Sequence, residues 1–277
     1  MTKTILITGA TDGIGLATAQ RLTAIGHTLI LHGRNQEKLS RVATDLRGRH
    51  PTENADAIQI IVADFADLHA VKAMADDLGG KHTAIDILIN NAGVYKTAAP
   101  HTNDGLDTRF AVNLFAPYIL TRAVLPIIPQ AGRVINLSSA AQSSVSTNAM
   151  AGGETLGDME AYAQSKLALT MWTVHMAQTH KQGPVFVAVN PGSLLNTNMV
   201  KEGWGGSDND VSIGADILVR AALDPAFGER SGAYFDNDKS DFGTLHPHAN
   251  DPEKLKDLVC VLEQRTDEIL SQRGDVK

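Results

Sequence analysis

The chain has 277 residues, 43% of them hydrophobic and 20% charged, enough to bury a large core. A formal charge of −7 argues against a nucleic-acid binder held through phosphate contacts. The single cysteine, Cys260, excludes an internal disulfide framework and fits a reducing, cytoplasmic setting. No run of 18 or more apolar residues predicts a membrane span, and the first strand-like run, Thr4–Thr8, follows at once without a secretory signal pattern.

Strand-like runs follow at Thr28–His32, Ile58–Ala63, Ile85–Asn90, Arg133–Leu137 and Val185–Asn190, with a weaker one at Ala233–Phe235. Amphipathic stretches lie between them: Ile14–Ile25, Gln36–Arg49, Leu68–Leu78, Leu106–Leu125 and Glu160–Thr179. The last third is less regular, with polar, glycine-containing segments at Asn196–Asp210 and Asp236–Asp251 before a helical stretch, Pro252–Leu270. Alternating strand and helix implies right-handed crossovers and a parallel sheet covered on both faces, and the continuous apolar strands fit that burial. The expected fold is α/β: one doubly wound, Rossmann-type domain over residues 1–277, with about seven parallel strands and helices on both faces. Substrate loops are expected near 140–160 and 194–212, with a C-terminal segment over 236–277.

The first strand runs into Thr8-Gly9-Ala10-Thr11-Asp12-Gly13-Ile14-Gly15 and then directly into a helix. Gly9 permits a turn that a Cβ would obstruct, Gly13 lets backbone approach a pyrophosphate, and Gly15 lets the helix pack closely on the strand. The helix N-terminus offers free N–H groups to phosphate charge. The spacing is Gly-x-x-x-Gly-x-Gly rather than Gly-x-Gly-x-x-Gly, and the alternative is an ordinary glycine-rich strand–helix turn. Gly9, Thr11, Asp12, Gly13, Ile14 and Gly15 are therefore cofactor-binding candidates. After the second strand, where NAD-binding folds carry a carboxylate for the ribose diol, the chain reads His32-Gly33-Arg34-Asn35. Arg34, with Asn35, suits the 2′-phosphate of NADP(H) instead, whereas the carboxylate of Asp12 is an objection to a nearby phosphate.

These residues, together with Asn90-Asn91-Ala92-Gly93, Asn113, Ser138-Ser139, Tyr162-Ala163-Gln164-Ser165-Lys166 and Asn190-Pro191-Gly192 in that order, resemble the short-chain dehydrogenase/reductase family from about Thr4 to Thr197. Within it the chain looks most similar to retinol dehydrogenase/protochlorophyllide reductase-like members, through the His32–Asn35 turn, a long interval from serine to tyrosine and the Gly232-Ala233-Tyr234-Phe235 segment. The resemblance implies a catalytic set of Asn113, Ser139, Tyr162 and Lys166. It also implies cofactor contacts at Asp64 and Phe65 beside the adenine, at Asn91, Ala92 and Gly93, at Tyr162 and Lys166, and at Pro191, Gly192, Leu194 and Thr197.

The residue types support that chemistry. Tyr162 and Lys166 stand four apart on one helix face, where an ammonium lowers a phenol's pKa and equips it to give or take a proton near neutral pH. Ser139 is expected to hydrogen-bond the substrate oxygen, with Ser138 the neighbouring alternative, since an extended strand end points only one of them into the site. Pro117, four residues after Asn113, has no N–H for the Asn113 carbonyl. It either holds that carbonyl open for the family's water-mediated proton relay or simply kinks the helix.

The long segment between Ser139 and Tyr162, roughly Ser143–Asp158, suggests an inserted loop over the substrate mouth. Asn196–Asp210 suggests a second lid, with Met199 and Trp204 on its apolar underside. No metal is expected, because His246-Pro247-His248 is the one close histidine pair and reads as surface. Trp172 and Met176 are expected against the core or a second subunit of a homo-oligomer. The function expected is an oxidoreductase, a carbonyl reductase type moving a hydride between NADP(H) and a small-molecule carbonyl or alcohol. An NAD-linked alcohol dehydrogenase and a non-catalytic NADP-sensing regulator are the alternatives.

Overall fold

The computed structural model describes residues 1–50 and 54–272. Its strands are β1 (Thr4–Ile7), β2 (Thr28–Gly33), β3 (Ile58–Val62), β4 (Ile87–Asn90), β5 (Arg133–Leu137), β6 (Val185–Asn190), β7 (Tyr234–Asp236) and β8 (Asp241–Gly243). They form one sheet in the order β3-β2-β1-β4-β5-β6-β7-β8, parallel except for the antiparallel β7–β8 hairpin. The expected doubly wound sheet is therefore present with one more strand than expected. β8 escapes sequence analysis because three residues inside a polar, glycine-containing stretch carry no readable period.

The helices are α1 (Gly13–Ala24), α2 (Gln36–Arg49), α3 (Leu68–Lys81), α4 (Thr108–Phe110), α5 (Ala116–Val124), α6 (Thr147–Met150), α7 (Asp158–Thr179), α8 (Asn198–Trp204), α9 (Val211–Leu223), α10 (Pro225–Gly228) and α11 (Pro252–Ser271). The stretch expected as one helix over Leu106–Leu125 divides into α4, a π-helical turn over Ala111–Phe115, and α5. The turn is closed by the Ala116 N–H on the Ala111 carbonyl, and Pro117 follows at once, without the N–H that regular α-helical winding would ask of it. The expectation that no segment is apolar enough to span a bilayer needs correction. By length and composition Thr108–Ile127 qualifies, but most of it is buried inside the fold as a core helix.

Side chains alternate between two cores, as a pleated sheet covered on both faces requires. Ile5, Ile7, Ile87, Ile89, Ile135 and Val187 join one cluster with α1, α2 and α9, while Leu6, Leu88, Val134 and Phe186 join the other with α3, α5, α7 and α11. Helix α7 is buried along nearly its whole length because α11 lies over it, bringing Leu255, Leu258, Val259 and Leu262 into the same cluster. Trp172 is fully buried there and meets the edge of Tyr118 with ring centroids 5.8 Å apart, so its neighbours come from this chain and not from a second subunit.

His32 ties the carboxyl ends of three strands together. Its Nδ1 accepts the Gly9 N–H at 3.3 Å, which places the ring proton on Nε2, where it reaches the Ala63 carbonyl at 3.0 Å; its ring stacks on Phe65 at 4.2 Å. Burial holds this imidazole neutral and lowers its pKa from 6.5 to about 4.

Two measurements check these packing statements. Trp172→Ala is expected to cost about 3–5 kcal/mol of unfolding free energy, read from denaturant midpoints; a loss below 1 kcal/mol would place the indole outside the core. Because the folded pKa of His32 lies below its unfolded value, the stability it contributes is complete above pH 6.5 and is lost as pH falls towards 4. On the order of 3 kcal/mol of pH-dependent stability follows. His32→Gln is expected to flatten the stability profile in that window, and an unchanged slope would refute the assignment.

Candidate active site

The carboxyl ends of β1 and β4, where the strand order changes direction, form the floor of the site. The buried Thr8 hydroxyl accepts the N–H groups of Asn91 and Ala92, each at 3.0 Å, and the Asn91 amide donates back to the Thr8 and Gly9 carbonyls. Gly9 has φ +66, and a Cβ on it would come within 2.9 Å of the Ala92 Cα; a Cβ on Gly15 would sit 2.2 Å from the Gly9 carbonyl oxygen. The glycine spacing is thus set by close backbone contact, and the turn leaves its outer side to a ligand.

At the start of α1, Asp12 caps the helix through the Gly13 N–H at 2.7 Å and accepts a hydrogen bond from Asn198 on α8. By the geometry of helix ends, the amides of Ile14 and Gly15 have no intrahelical acceptor, the arrangement that receives a phosphate. The Thr11 methyl packs against Gly33, beside the exposed Arg34. Asn35 serves a purpose that sequence analysis does not identify: its side chain caps α2 through the Lys38 N–H. Asp64 stays exposed, whereas Phe65 is buried against His32, so of that pair Asp64 faces outward.

The four expected catalytic residues converge next to this floor. A Cβ on Gly93 would meet both the Asn113 Oδ1 and the Lys166 Nζ at 3.3 Å, a tight fit, so glycine leaves these two side chains room to approach. Asn113 is locked by its amide, accepting from the Val94 N–H at 2.8 Å and donating to the Val94 carbonyl and the Ser165 hydroxyl. Ser138 is turned into α7, bonded to Thr170 and the Lys166 carbonyl, while the Ser139 hydroxyl accepts the Ala141 N–H at 3.1 Å and acts on the Tyr162 phenol, drawing its pKa down. Of the two serines, Ser138 is thus the one turned away, which leaves Ser139 as the candidate. Its carbonyl is held by the Tyr234 hydroxyl at 3.1 Å and by Gln142 at 2.9 Å, two contacts with no signature in a single sequence.

Electrostatics here differ from the simple pairing expected. The Lys166 ammonium lies 5.8 Å from the Tyr162 ring centre and donates to the Leu137 carbonyl at 2.7 Å. Burial is the largest influence on Tyr162 and pushes its pKa up, opposed by the nearby Ser139 hydroxyl. Burial also lowers Lys166 to about 8. The phenol is therefore protonated at neutral pH.

Tyr95 stands edge-on to Tyr162, ring centroids 5.5 Å apart, and Gly203 of α8 packs on the Tyr95 ring. The buried Arg109 fixes this wall: it pairs with Asp107 through two nitrogens and reaches the Tyr95 carbonyl and Asp158 at the start of α7. Neither residue stood out in the sequence. The segment expected as a loop over 143–158 contains α6, with Ala149 and Met150 in the core and the Ser146 N–H bonded to Gln164, so it is anchored. The segment over 194–212 carries α8 and closes at its base, where the Asn196 N–H reaches the Asn209 carbonyl at 2.8 Å. Thr197 caps α8 and packs its methyl on Gly13, Met199 is half-buried, and the Trp204 side chain lies outside the described residues. Pro191, Gly192 and Leu194 form the turn after β6. His246 and His248 are joined by a cap, the His248 N–H on the His246 ring. Among the described residues no group of three His, Cys, Asp or Glu side chains comes together.

The short chain dehydrogenase family model matches residues 3–205. Human polyprenol dehydrogenase is 29% identical over 210 residues, covering 72% of this chain and 62% of that protein. Human retinol dehydrogenase 13 is 33% identical over 203 residues, covering 69% and 58%. The match thus spans less than two thirds of the length of both these relatives. Mouse retinol dehydrogenase 14 is 26% identical over 286 residues, covering 94% and 85%. Among solved structures, a protein from Mycobacterium paratuberculosis superposes with a TM-score of 0.76 at 26% identity, covering 96% of this chain and 93% of that one. A short chain dehydrogenase from Escherichia coli complexed with NADPH superposes with a TM-score of 0.69 at 25% identity, covering 85% and 96%. With the glycine turn, the Asn113–Ser139–Tyr162–Lys166 cluster and these matches in agreement, the chain belongs to the short-chain dehydrogenase/reductase family.

Proposed function

We propose that the chain is an NADP(H)-dependent oxidoreductase that interconverts a carbonyl and an alcohol, with Tyr162 as the acid/base. The observation that carries this is the convergence of Ser139, Tyr162, Lys166 and Asn113 beside the Gly9–Gly15 turn. The residues fit a dinucleotide: the turn excludes side chains at Gly9 and Gly15, and the α1 amides suit a pyrophosphate. NADP over NAD is supported by the exposed Arg34, by the lack of a carboxylate at the end of β2, and by the NADPH complex of the E. coli relative. The Asp12 carboxylate is engaged by Gly13 and Asn198, which blunts its repulsion of a phosphate.

When bound, NADPH supplies the hydride to the carbonyl carbon, and NADP takes it back in the reverse direction. As the carbonyl π pair moves to oxygen, the Tyr162 hydroxyl delivers its proton there, and the Ser139 hydroxyl donates a hydrogen bond to the same atom. The Lys166 ammonium stabilises the phenolate that results. Asn113 keeps Val94 and α7 in register around the lysine, and the π-helical turn before Pro117 suits a carbonyl freed for a water relay. The Tyr95 ring and the half-exposed Leu194 favour a substrate with an apolar part, in keeping with the retinol and polyprenol named for the relatives.

Turnover of NADPH on a panel of apolar ketones, aldehydes and quinones is expected to vanish in Tyr162→Phe while NADPH binding persists; retained turnover would remove Tyr162 from the chemistry. For wild type, kcat/KM for reduction is expected to fall as pH rises through about 8, where Lys166 loses its proton. Arg34→Ala is expected to weaken NADPH by about 10- to 150-fold, the loss of a hydrogen bond to a charged group, and NADH far less. Equal losses for both cofactors would remove the NADP preference.

A further inference from the structure

The turn after β6 is held from outside by the loop that joins β7 to β8. Asp238 in that loop accepts the Ser193 N–H at 2.8 Å, the Ser193 hydroxyl at 2.6 Å and the Asn190 amide at 2.9 Å. Its neighbour Asn237 donates to the Pro191 carbonyl at 2.9 Å, and from the far side Asn209 donates to the Ser193 carbonyl at 3.1 Å. The residue so bracketed, Leu194, has φ +53 and is 48% exposed. A leucine holds that left-handed conformation only where its surroundings over-determine it. At 48% exposure burial does not hold it; the hydrogen bonds on either side constrain the backbone. Partial burial would raise the pKa of the Asp238 carboxyl, but the hydrogen bonds from Ser193 and Asn190 and the charge of Lys239 outweigh it and lower the pKa, which favours the accepting carboxylate.

We propose that Asp238 is a positioning residue for the cofactor, holding in shape the Pro191–Leu195 turn, which the family resemblance sets beneath the nicotinamide. The role rests on the dinucleotide site proposed above. Asp238 touches neither the Gly9–Gly15 turn nor Arg34 in the contacts described; its influence reaches the ligand through the Pro191–Leu195 turn and, beyond it, the Thr197 methyl on Gly13, and stops short of the Arg34 end. That confinement separates positioning from general stability. A weakened fold loosens every part of the site, whereas a loosened turn spares the adenosine end.

The test is equilibrium binding of NADPH and of adenosine 2′,5′-bisphosphate, which lacks the nicotinamide, to the full chain and to Asp238→Ala, Asp238→Asn and Ser193→Ala, with melting temperatures alongside. Asp238→Ala is expected to raise the Kd for NADPH about three- to tenfold, the range for losing one or two hydrogen bonds at an exposed carboxylate, and to leave the bisphosphate Kd unchanged. Asp238→Asn and Ser193→Ala, which keep part of the bracket, are expected to show the same pattern more weakly, and they carry the test if Asp238→Ala fails to fold. Unchanged NADPH affinity in all three variants, or equal weakening of both probes with a fall in melting temperature, would overturn the role. Wild type that binds neither probe would sink the dinucleotide site itself, and this role with it.

Discussion

Between Gly15 and the Gly9 carbonyl there is no room for even one methyl group, and the remaining site geometry follows from that contact. Helix α1 can begin directly over the end of β1 only because of this approach, and Thr8 and Asn91 then stitch the same turn to the end of β4. Once these backbones are fixed, Gly93 brings Asn113 and Lys166 together, and α7 carries Tyr162 to Ser139. The candidate site therefore sits at the carboxyl ends of central strands and on helices, which are more rigid than loops.

The parts of this arrangement legible in the sequence are those with local signatures. Seven strands announced themselves as apolar runs, and the limits of α2 coincide with the amphipathic stretch Gln36–Arg49. The four candidate catalytic residues that the structure brings together stand out in the sequence through spacing and family resemblance. What stayed hidden depends on partners far apart in the chain: Arg109 with Asp158, Tyr234 with Ser139, and Asp238 with Ser193. A single sequence carries no trace of which arginine will be buried or which tyrosine will grip a backbone carbonyl. The hairpin that supplies two of these contacts was hidden as well, because β8 is too short to show a period.

The Tyr162–Lys166 pair shows how burial changes an inference drawn from spacing. Four residues of helix do bring the two side chains to one face, but desolvation outweighs mutual influence for both groups. The tyrosine is kept as a proton donor and the lysine is made easy to discharge.

Helix α11 lies across α7 and completes the core that surrounds Trp172, yet it comes after every other described element in chain order. A nascent chain that has already made its phosphate turn, its serine and its tyrosine still exposes the outer face of α7 until residues 255–269 leave the ribosome. The half of the sheet facing α1, α2 and α9 closes earlier, since Phe235 and Phe242 are the latest residues in its packing. The two faces of one sheet thus mature in sequence. The interval between them is when the apolar side of the catalytic helix is open to chaperones and to aggregation.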